Sequence, residues 1–178
     1  MQYHIDDLKD EDIPQCLEIY NYYIRNTTIT LEEDELTLES FMERCHLIQM
    51  KFPYITIKDE TDKVLGYCYL DYFNTRSAYR ISADLSIYVD KDHLHENLGK
   101  LMLEEIEKRA IKRNIYNLVS LITSENENSI FFHERNGFIH DGEVKDIAIK
   151  MNRLLSCHFY RKQLKKITIS KKSEGDMQ

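Results

Sequence analysis

The stretch from residue 84 to residue 100 has a pattern that could bind an anionic ligand. Its first part alternates as a strand does, with Leu85, Ile87 and Val89 on one face. Its second part, the loop 94–99 with the sequence LHENLG, precedes a predicted helix. Free N–H groups at a helix N-terminus attract phosphate, and a glycine lets the backbone come close to it. The alternative is an ordinary helix start, where a glutamate is favourable.

The spacing of apolar residues predicts the elements that position this stretch. Two hairpins predict antiparallel strand pairs, and the strand–helix–strand crossover between residues 85 and 122 predicts one parallel pair. We therefore predict an α/β (α+β) fold, a mixed and mostly antiparallel sheet flanked by helices. The predicted elements are a strand at 2–8, a helix capped by Asp10 with Pro14 in its first turn, a helix at 38–50 capped by Thr37, strands at 54–58, 64–73 and 80–89, a helix at 97–114, a strand at 117–123, a helix at 126–136 followed by Gly137, and strands at 138–150 and 153–164.

The length of 178 residues suits a single domain, which we place at 1–166, followed by a flexible polar tail at 167–178. The net charge of −7 disfavours nucleic acid as a partner. No apolar run reaches membrane-spanning length and the N-terminus has no signal-peptide pattern, so we expect a cytoplasmic protein. The four cysteines are scattered, which predicts reduced packing residues and no metal site.

Four stretches of the sequence carry a family resemblance. They are 19–30 (IYNYYIRNTTIT), 74–93 (NTRSAYRISADLSIYVDKDH), 125–138 (ENENSIFFHERNGF) and 149–164 (IKMNRLLSCHFYRKQL). On these stretches the chain resembles the GNAT superfamily of N-acetyltransferases, and within it the phosphinothricin/methionine sulfoximine N-acetyltransferase subgroup. One departure is large, because the subgroup's glycine-rich phosphate loop is reduced here to Leu98 and Gly99.

The resemblance implies that acetyl-CoA is the co-substrate. Its pyrophosphate would lie on the loop before the predicted helix, and its pantetheine arm along the edge of the central strand. A carboxylate about 4 Å from a phosphate costs roughly 4 kcal/mol at an effective dielectric near 20, so Glu96 must point away or be offset by Lys100 or His95. Asn126 and Ser129 could equally be a helix cap and its first turn. The implied cofactor-binding residues are Ile87, Tyr88, Val89, His95, Asn97, Leu98, Gly99, Lys100, Asn126 and Ser129.

The resemblance also implies two catalytic residues. Asp84 stands where the family has a glutamate, and a carboxylate facing a cleft can deprotonate an ammonium substrate, directly or through one water. Its alternative role is a salt bridge, perhaps with Arg80. His133 matches the subgroup's histidine and could relay a proton to the departing thiolate. Tyr88 and Tyr160 are alternative acids.

The implied substrate-binding residues are Thr28, Arg76 and Tyr79. A guanidinium pairs bidentately with a carboxylate or phosphinate, which suits an amino-acid substrate with an anionic end. Two further departures, Leu154 for tryptophan and Ser156 for aspartate, fall in the closing strand.

The function that follows is transfer of acetyl to the primary amine of a small amino-acid-like substrate, by a protein that the resemblance implies is a homodimer. A second possibility keeps acetyl transfer and changes the acceptor to a polyamine, an aminoglycoside or a protein N-terminus. A third is a non-catalytic binding module whose altered loop 94–99 no longer holds CoA.

Overall fold

A computed structural model describes residues 3–166. Within them the chain forms seven strands and four α-helices in the predicted order. Short 3-10 turns lie at Asp10–Asp12, Ser77–Tyr79 and Lys91–His93. The elements are β1 (His4–Asp7), α1 (Ile13–Asn26), α2 (Leu38–Gln49), β2 (Tyr54–Lys58), β3 (Val64–Tyr72), β4 (Ser82–Val89), α3 (Leu98–Lys112), β5 (Asn117–Thr123), α4 (Glu127–Arg135), β6 (Ile139–Lys150) and β7 (Arg153–Gln163).

The predicted helix ends are confirmed except at α1. The Thr37 hydroxyl caps α2, and Gly137 has the left-handed φ of 85° that a residue after a helix often needs. The prediction that Asp10 caps α1 is wrong, because its carboxylate lies 2.8 Å from His46 instead. The start of α1 is fixed by Asp12, whose carboxylate forms a buried ion pair at 2.5 Å with Lys58 of β2.

The seven strands form one sheet in the order β1-β2-β3-β4-β5-β7-β6. Only β4 and β5 are parallel, which confirms the predicted mixed sheet. Their ladder comprises three residue pairs and ends at Asp84–Val119. Beyond that pair the two strands diverge, whereas the antiparallel ladder between β3 and β4 continues to Val89. The divergence leaves a gap in the middle of the sheet.

Helices cover both faces of the sheet. On one face, α3 packs Met102 and Ile106 against Leu85 and its neighbours. On the other face, α1 and α2 enclose an aromatic layer in which the rings of Tyr67 and Tyr88 stack at 5.2 Å. The alternation predicted for β4 is therefore confirmed, because its odd-numbered side chains face α3 and Tyr88 faces α1. The four cysteines are buried with free thiols.

The hairpin of β6 and β7 forms the far edge of the sheet. It turns through Met151 and Asn152, both with left-handed φ (51° and 57°), as a two-residue type I′ turn requires. Strand β6 is the edge strand, and most of its residues are exposed. The predicted tail at 167–178 lies outside the described residues. None of the helices between residues 3 and 166 combines the length and apolar character needed to cross a bilayer.

Candidate active site

The gap between β4 and β5 opens into a cavity of about 260 Å³. The cavity runs between the diverging strands, so it is lined by residues of both sheet faces, including Ser86 and Ile87 of β4 and Leu121 of β5. Side chains of α4 and of the segment after α1 complete its walls. The gap is therefore open, and an extended ligand arm could lie in it as an added strand does.

Alternation of the backbone decides which groups of β4 face this gap. The carbonyl of Ile81 accepts a hydrogen bond from the amide of Asn117 in β5. Because strand residues alternate in direction, the backbone groups of Leu85, Ile87 and Val89 also point toward β5. Three odd-numbered residues thus present their main chain to the gap.

Two of those residues already have side-chain partners. The hydroxyl of Ser120 donates to the carbonyl of Leu85 at 3.4 Å, and the hydroxyl of Tyr23 donates to the carbonyl of Val89 at 2.6 Å. The main chain of Ile87 lies between these two bonds, beyond the last pair of the β4–β5 ladder. Its N–H and C=O are the groups best placed to bond an amide of a bound pantetheine. The backbone of Tyr88 points instead toward β3, with which it pairs at Tyr67.

The loop 94–99 keeps an open anion-binding shape despite its missing glycines. His95 and Asn97 take left-handed φ values of 68° and 67°, and Asn97 is the N-cap of α3. Asparagine adopts this conformation more readily than most residues. The first amides of α3, those of Leu98 and Gly99, begin the helix beside a cavity of about 590 Å³. The basic residues that line this cavity are His93, His95, Lys100 and Arg135.

Glu96, the acidic residue of the loop, is turned away from this cavity. Its carboxylate accepts a hydrogen bond at 2.7 Å from the hydroxyl of Tyr3 and lies 3.1 Å from Nδ1 of His93. The bond from Tyr3, more than the contact with His93, lowers the pKa of Glu96. The repulsion foreseen from the sequence is therefore avoided through Tyr3 and His93, not through Lys100 or His95.

Asp84 occupies the last paired position of β4 before the gap. Its side chain shares a face with Ser86, which lines the gap. Burial, and secondly the carboxylate of Asp71, raises the pKa of Asp84 to about 7. The salt bridge considered with Arg80 does not form, since the Arg80 guanidinium donates to the carbonyl of Ser77. Asp84 is thus a carboxylate at the mouth of the gap that can accept a proton near neutral pH.

His133 lines the same gap but has the character of a hydrogen-bond acceptor. Its Nδ1 lies 2.7 Å from the carbonyl of Ser129, which requires a proton on Nδ1. Its Nε2 is buried and has no hydrogen-bond partner within the described chain. Burial lowers the pKa of His133 to about 4, so the ring is neutral at pH 7. This geometry favours an acceptor role over donation of a proton to a thiolate.

Asn126 combines the two roles considered for it. Its side-chain oxygen accepts from the amide of Ser129 at 3.1 Å and so caps α4. Both residues also line the gap, where the NH₂ group of Asn126 can donate to a ligand amide. Tyr160, considered as an acid, donates instead to Glu134.

The predicted substrate residues lie at separate places. Tyr79 lines a cavity of about 620 Å³, together with Ser82 of β4 and Val119 of β5. This cavity lies on the face of the sheet from which the Asp84 side chain emerges, because Val119, which lines the cavity, is the register partner of Asp84. Arg76 is exposed and is not among the residues that line this cavity, whereas the hydroxyl of the buried Thr28 donates to Glu125.

The same arrangement of sheet, gap and helix occurs in known proteins. Residues 5–157 match the family described as the acetyltransferase (GNAT) domain, which spans most of the chain. The chain belongs to the GNAT acetyltransferase family.

Two relatives and one solved structure indicate which GNAT proteins the chain is similar to. It is 27% identical over 148 residues to a phosphinothricin N-acetyltransferase of Alcaligenes faecalis, a match that covers 82% of this chain and 75% of that protein. It is 29% identical over 157 residues to an L-methionine sulfoximine/L-methionine sulfone acetyltransferase of Pseudomonas paraeruginosa, covering 86% and 90%. The structure of a phosphinothricin acetyltransferase from Sinorhizobium meliloti in complex with AcCoA superposes with a TM-score of 0.90 at 28% identity, covering 98% and 95%.

These matches confirm the predicted family, fold class and enzyme class. The chain is a GNAT-type acetyltransferase of the EC 2.3.1 class, and acetyl-CoA is its co-substrate. The individual site residues stay predictions, which rest on the geometry described above.

Several residues of the candidate site are not apparent from the sequence. Tyr23 follows Tyr20 at helical spacing, which is typical of a core residue, yet its hydroxyl donates to the Val89 carbonyl of β4. Ser120 is, in the sequence, only a polar residue within a predicted buried strand, yet its hydroxyl donates to the carbonyl of Leu85. Phe132 packs within 3.3 Å of the position that a side chain at residue 99 would occupy. Arg135 faces the phosphate loop from α4.

Proposed function

We propose that the protein transfers acetyl from acetyl-CoA to the primary amine of a small amino-acid-like substrate of the phosphinothricin or methionine sulfoximine type. The observation that carries this proposal is the place of Asp84, a partly buried carboxylate at the residue where β4 and β5 part. An acetyl group carried along the gap and an amine held on the face of Asp84 would meet there.

In this proposal the donor is held mainly by main-chain groups. Ile87 bonds the pantetheine arm, and the amides at the start of α3 bond the pyrophosphate. Lys100 and Arg135 supply positive charge at the loop. Gly99 leaves room for the arm, since a Cβ there would lie 3.3 Å from the ring of Phe132.

The chemistry requires an uncharged amine, and Asp84 supplies the base. Acetyl-CoA brings the acetyl group as a thioester. A free amine attacks its carbonyl carbon, the C–S bond breaks, and CoA leaves as a thiolate that takes up the second amine proton. An amine arrives mainly as ammonium, so Asp84 takes one proton before or during the attack. A base whose pKa is near 7 is half ionised at neutral pH and still binds a proton strongly enough to help. His133 stays neutral and can accept a hydrogen bond through Nε2.

The acceptor would occupy the 620 Å³ cavity on the face of Asp84. Tyr79 and Phe73 form one wall with ring centroids 5.6 Å apart, and the exposed Arg76, three residues before Tyr79, would pair with an anionic end. A second candidate is an acceptor with an additional cationic group. It is favoured by Glu143, which lines the same cavity as the aromatic rings, because carboxylates and aromatic faces attract ammonium groups.

We propose that two copies pair through strand β6. This edge strand exposes Ile147 by 57% and Ile149 by 68%, and Leu154 beside it on β7 is 58% exposed. A long apolar edge is usually covered in native proteins, since its free N–H and C=O groups would otherwise pair with other chains. Ile147→Asp should therefore shift the mass measured by light scattering from dimer to monomer. A monomer in the wild-type protein would contradict this assembly.

Two measurements test the proposed function. Steady-state assays with acetyl-CoA on a panel of phosphinothricin, methionine sulfoximine, spermidine and an aminoglycoside identify the acceptor class. Calorimetric titration with acetyl-CoA tests the donor site separately, comparing wild type with Lys100→Ala and Glu96→Gln. We expect weaker binding for Lys100→Ala and a change below about threefold for Glu96→Gln, because that carboxylate points away. No heat at millimolar acetyl-CoA would leave only the non-catalytic binding module.

A further inference from the structure

A second carboxylate lies directly across the sheet from the proposed base. Asp71 of β3 is the register partner of Asp84 in the antiparallel ladder, so both side chains emerge on the same face. Directly opposed residues in such a ladder have Cβ atoms about 4.5–5.5 Å apart. The two carboxyl groups can therefore contact each other directly or through one water.

Within residues 3–166, no ion pair compensates the charge of these two carboxylates. The charged and titratable groups that face them from neighbouring elements are Tyr69 of β3, Glu43 of α2, Arg44 of α2 with its partner Glu32, and Arg161 of β7 with its partner Asp141. Arg44 lies 2.5 Å from Glu32, and Arg161 lies 2.6 Å from Asp141. Both guanidinium groups are thus already engaged, and within residues 3–166 neither carboxylate of the pair has an ion-pair partner.

Asp71 also connects the pair with solvent. It lines a groove of about 500 Å³ between α2 and the end of β3, which we call the α2 groove and which also contains Arg44 and Tyr72. One oxygen of Asp71 accepts from the amide of Tyr72 at 2.7 Å, which fixes the carboxylate. Its other oxygen remains available to Asp84 or to water in the groove.

We propose that Asp71 is a positioning residue for the transfer reaction, which shares a single proton with Asp84 and so determines the pH range in which Asp84 can act as the base. This inference rests on the proposed function. The proton balance is simple: the substrate ammonium gives one proton to the Asp84 carboxylate and becomes the free amine. That proton is then held between the two carboxyl groups until water in the α2 groove removes it, which restores Asp84.

The balance of effects supports a shared proton. Two full negative charges on directly opposed residues repel each other, and the repulsion strengthens as burial lowers the effective dielectric around them. Burial makes a second charge still less favourable, so the pair readily holds the one proton that the substrate ammonium delivers. The raised pKa of Asp84, which has burial as its larger cause and Asp71 as its second, agrees with this arrangement.

The test is the pH dependence of kcat/KM for wild type, Asp71→Asn and Asp71→Glu. The base must be ionised, so activity falls on the acid side. Asp71→Asn removes the like charge, and its acid limb should move to lower pH by between about 0.5 and 2 units. Asp71→Glu keeps the charge and should stay close to wild type. Asp34→Asn, which removes the charge of an exposed aspartate, is the matched control.

An acid limb that stays in place in a folded Asp71→Asn protein would overturn the inference, even if overall activity dropped. Should that variant fail to fold, carbon-13 NMR of the aspartate carboxyl groups in the wild-type protein decides instead. A coupled pair titrates in two separated steps, and a single ordinary step for both groups would refute the sharing. If no amine is acetylated at any pH, the proposed function itself fails and this inference falls with it. Activity that depends on Asp84 but ignores Asp71 would remove this inference alone.

Discussion

Replacing Asp84 with asparagine should remove activity and at the same time stabilise the protein above pH 7. The pKa of Asp84 is raised in the folded protein from its ordinary value of 3.8 to about 7. Between those values the folded state binds a proton that the unfolded state has released. The free energy of unfolding of the wild type therefore falls as pH rises through this window, the reverse of the usual aspartate in a salt bridge.

The size of the effect follows from the two pKa values. One pH unit corresponds to about 1.4 kcal/mol, so the span from 3.8 to about 7 amounts to roughly 4 kcal/mol. Asparagine carries no charge and avoids this loss. The difference in unfolding free energy between Asp84→Asn and wild type should be near its minimum at pH 4 and reach about 4 kcal/mol in favour of the variant above pH 8.

Urea unfolding at several pH values between 4 and 9 measures this difference, because the contributions of groups that do not interact with Asp84 cancel between the two proteins. Asp34→Asn, which alters an exposed aspartate, should show no such pH-dependent gain. In the acetyltransferase assay, loss of the base should lower turnover by about 10²–10⁴-fold. A difference in unfolding free energy that stays constant with pH, or a variant less stable than wild type at pH 8, would refute the claim that burial and the Asp71 charge raise the pKa of Asp84.

Three further outcomes follow from the structure. Gly99→Val should weaken acetyl-CoA binding at least tenfold by calorimetry, because even a Cβ at this position lies 3.3 Å from the ring of Phe132. Burial lowers the pKa of His133 to about 4, so nitrogen-15 NMR should show a neutral ring between pH 5.5 and 9. The part of the unfolding free energy that depends on the neutral ring should be lost as pH falls from about 6.5 to 4. Asp12→Ala should reduce unfolding free energy by about 3–5 kcal/mol, since it leaves the buried Lys58 ammonium unpaired.

Each of these has a clear contrary result. Unchanged acetyl-CoA affinity in Gly99→Val would show that the ligand does not pass the start of α3. A His133 ring that titrates near 6.5 would mean that solvent reaches it freely. A cost below 1 kcal/mol for Asp12→Ala would mean that Lys58 can reach water, and the double variant Asp12→Ala/Lys58→Met controls for lost packing.

Much of the fold could be predicted because its elements have strong local patterns. Thr37 before the apolar residues of α2 and Gly137 after α4 are local capping signals, and the structure places both ends there. The start of α1 could not be predicted in the same way. Asp10 looks like a cap in sequence, but the ion pair of Asp12 with the distant Lys58 sets that end.

The candidate site, like the fold, could be predicted from the sequence only in part. The sequence indicated Asp84, His133 and the loop 94–99, because their residue types and order resemble those of GNAT acetyltransferases. It could not indicate how these groups behave. The neutral state of His133 follows from burial, which outweighs the opposing effect of the Ser129 carbonyl on its pKa, and a sequence pattern contains neither.

The sequence by itself determined the order of the strands and helices, the position of the gap-forming crossover and the residue types beside it, since these depend on neighbours a few positions apart. Only the tertiary structure decided the charges of the site. Glu96 is turned aside by Tyr3, which is 93 residues away, and the carbonyl of Val89 is occupied by Tyr23, which is 66 residues away. Asp84 meets Asp71 through strand register alone. Electrostatic and hydrogen-bond energies depend on distance in space and on burial, and neither is encoded in separation along the chain.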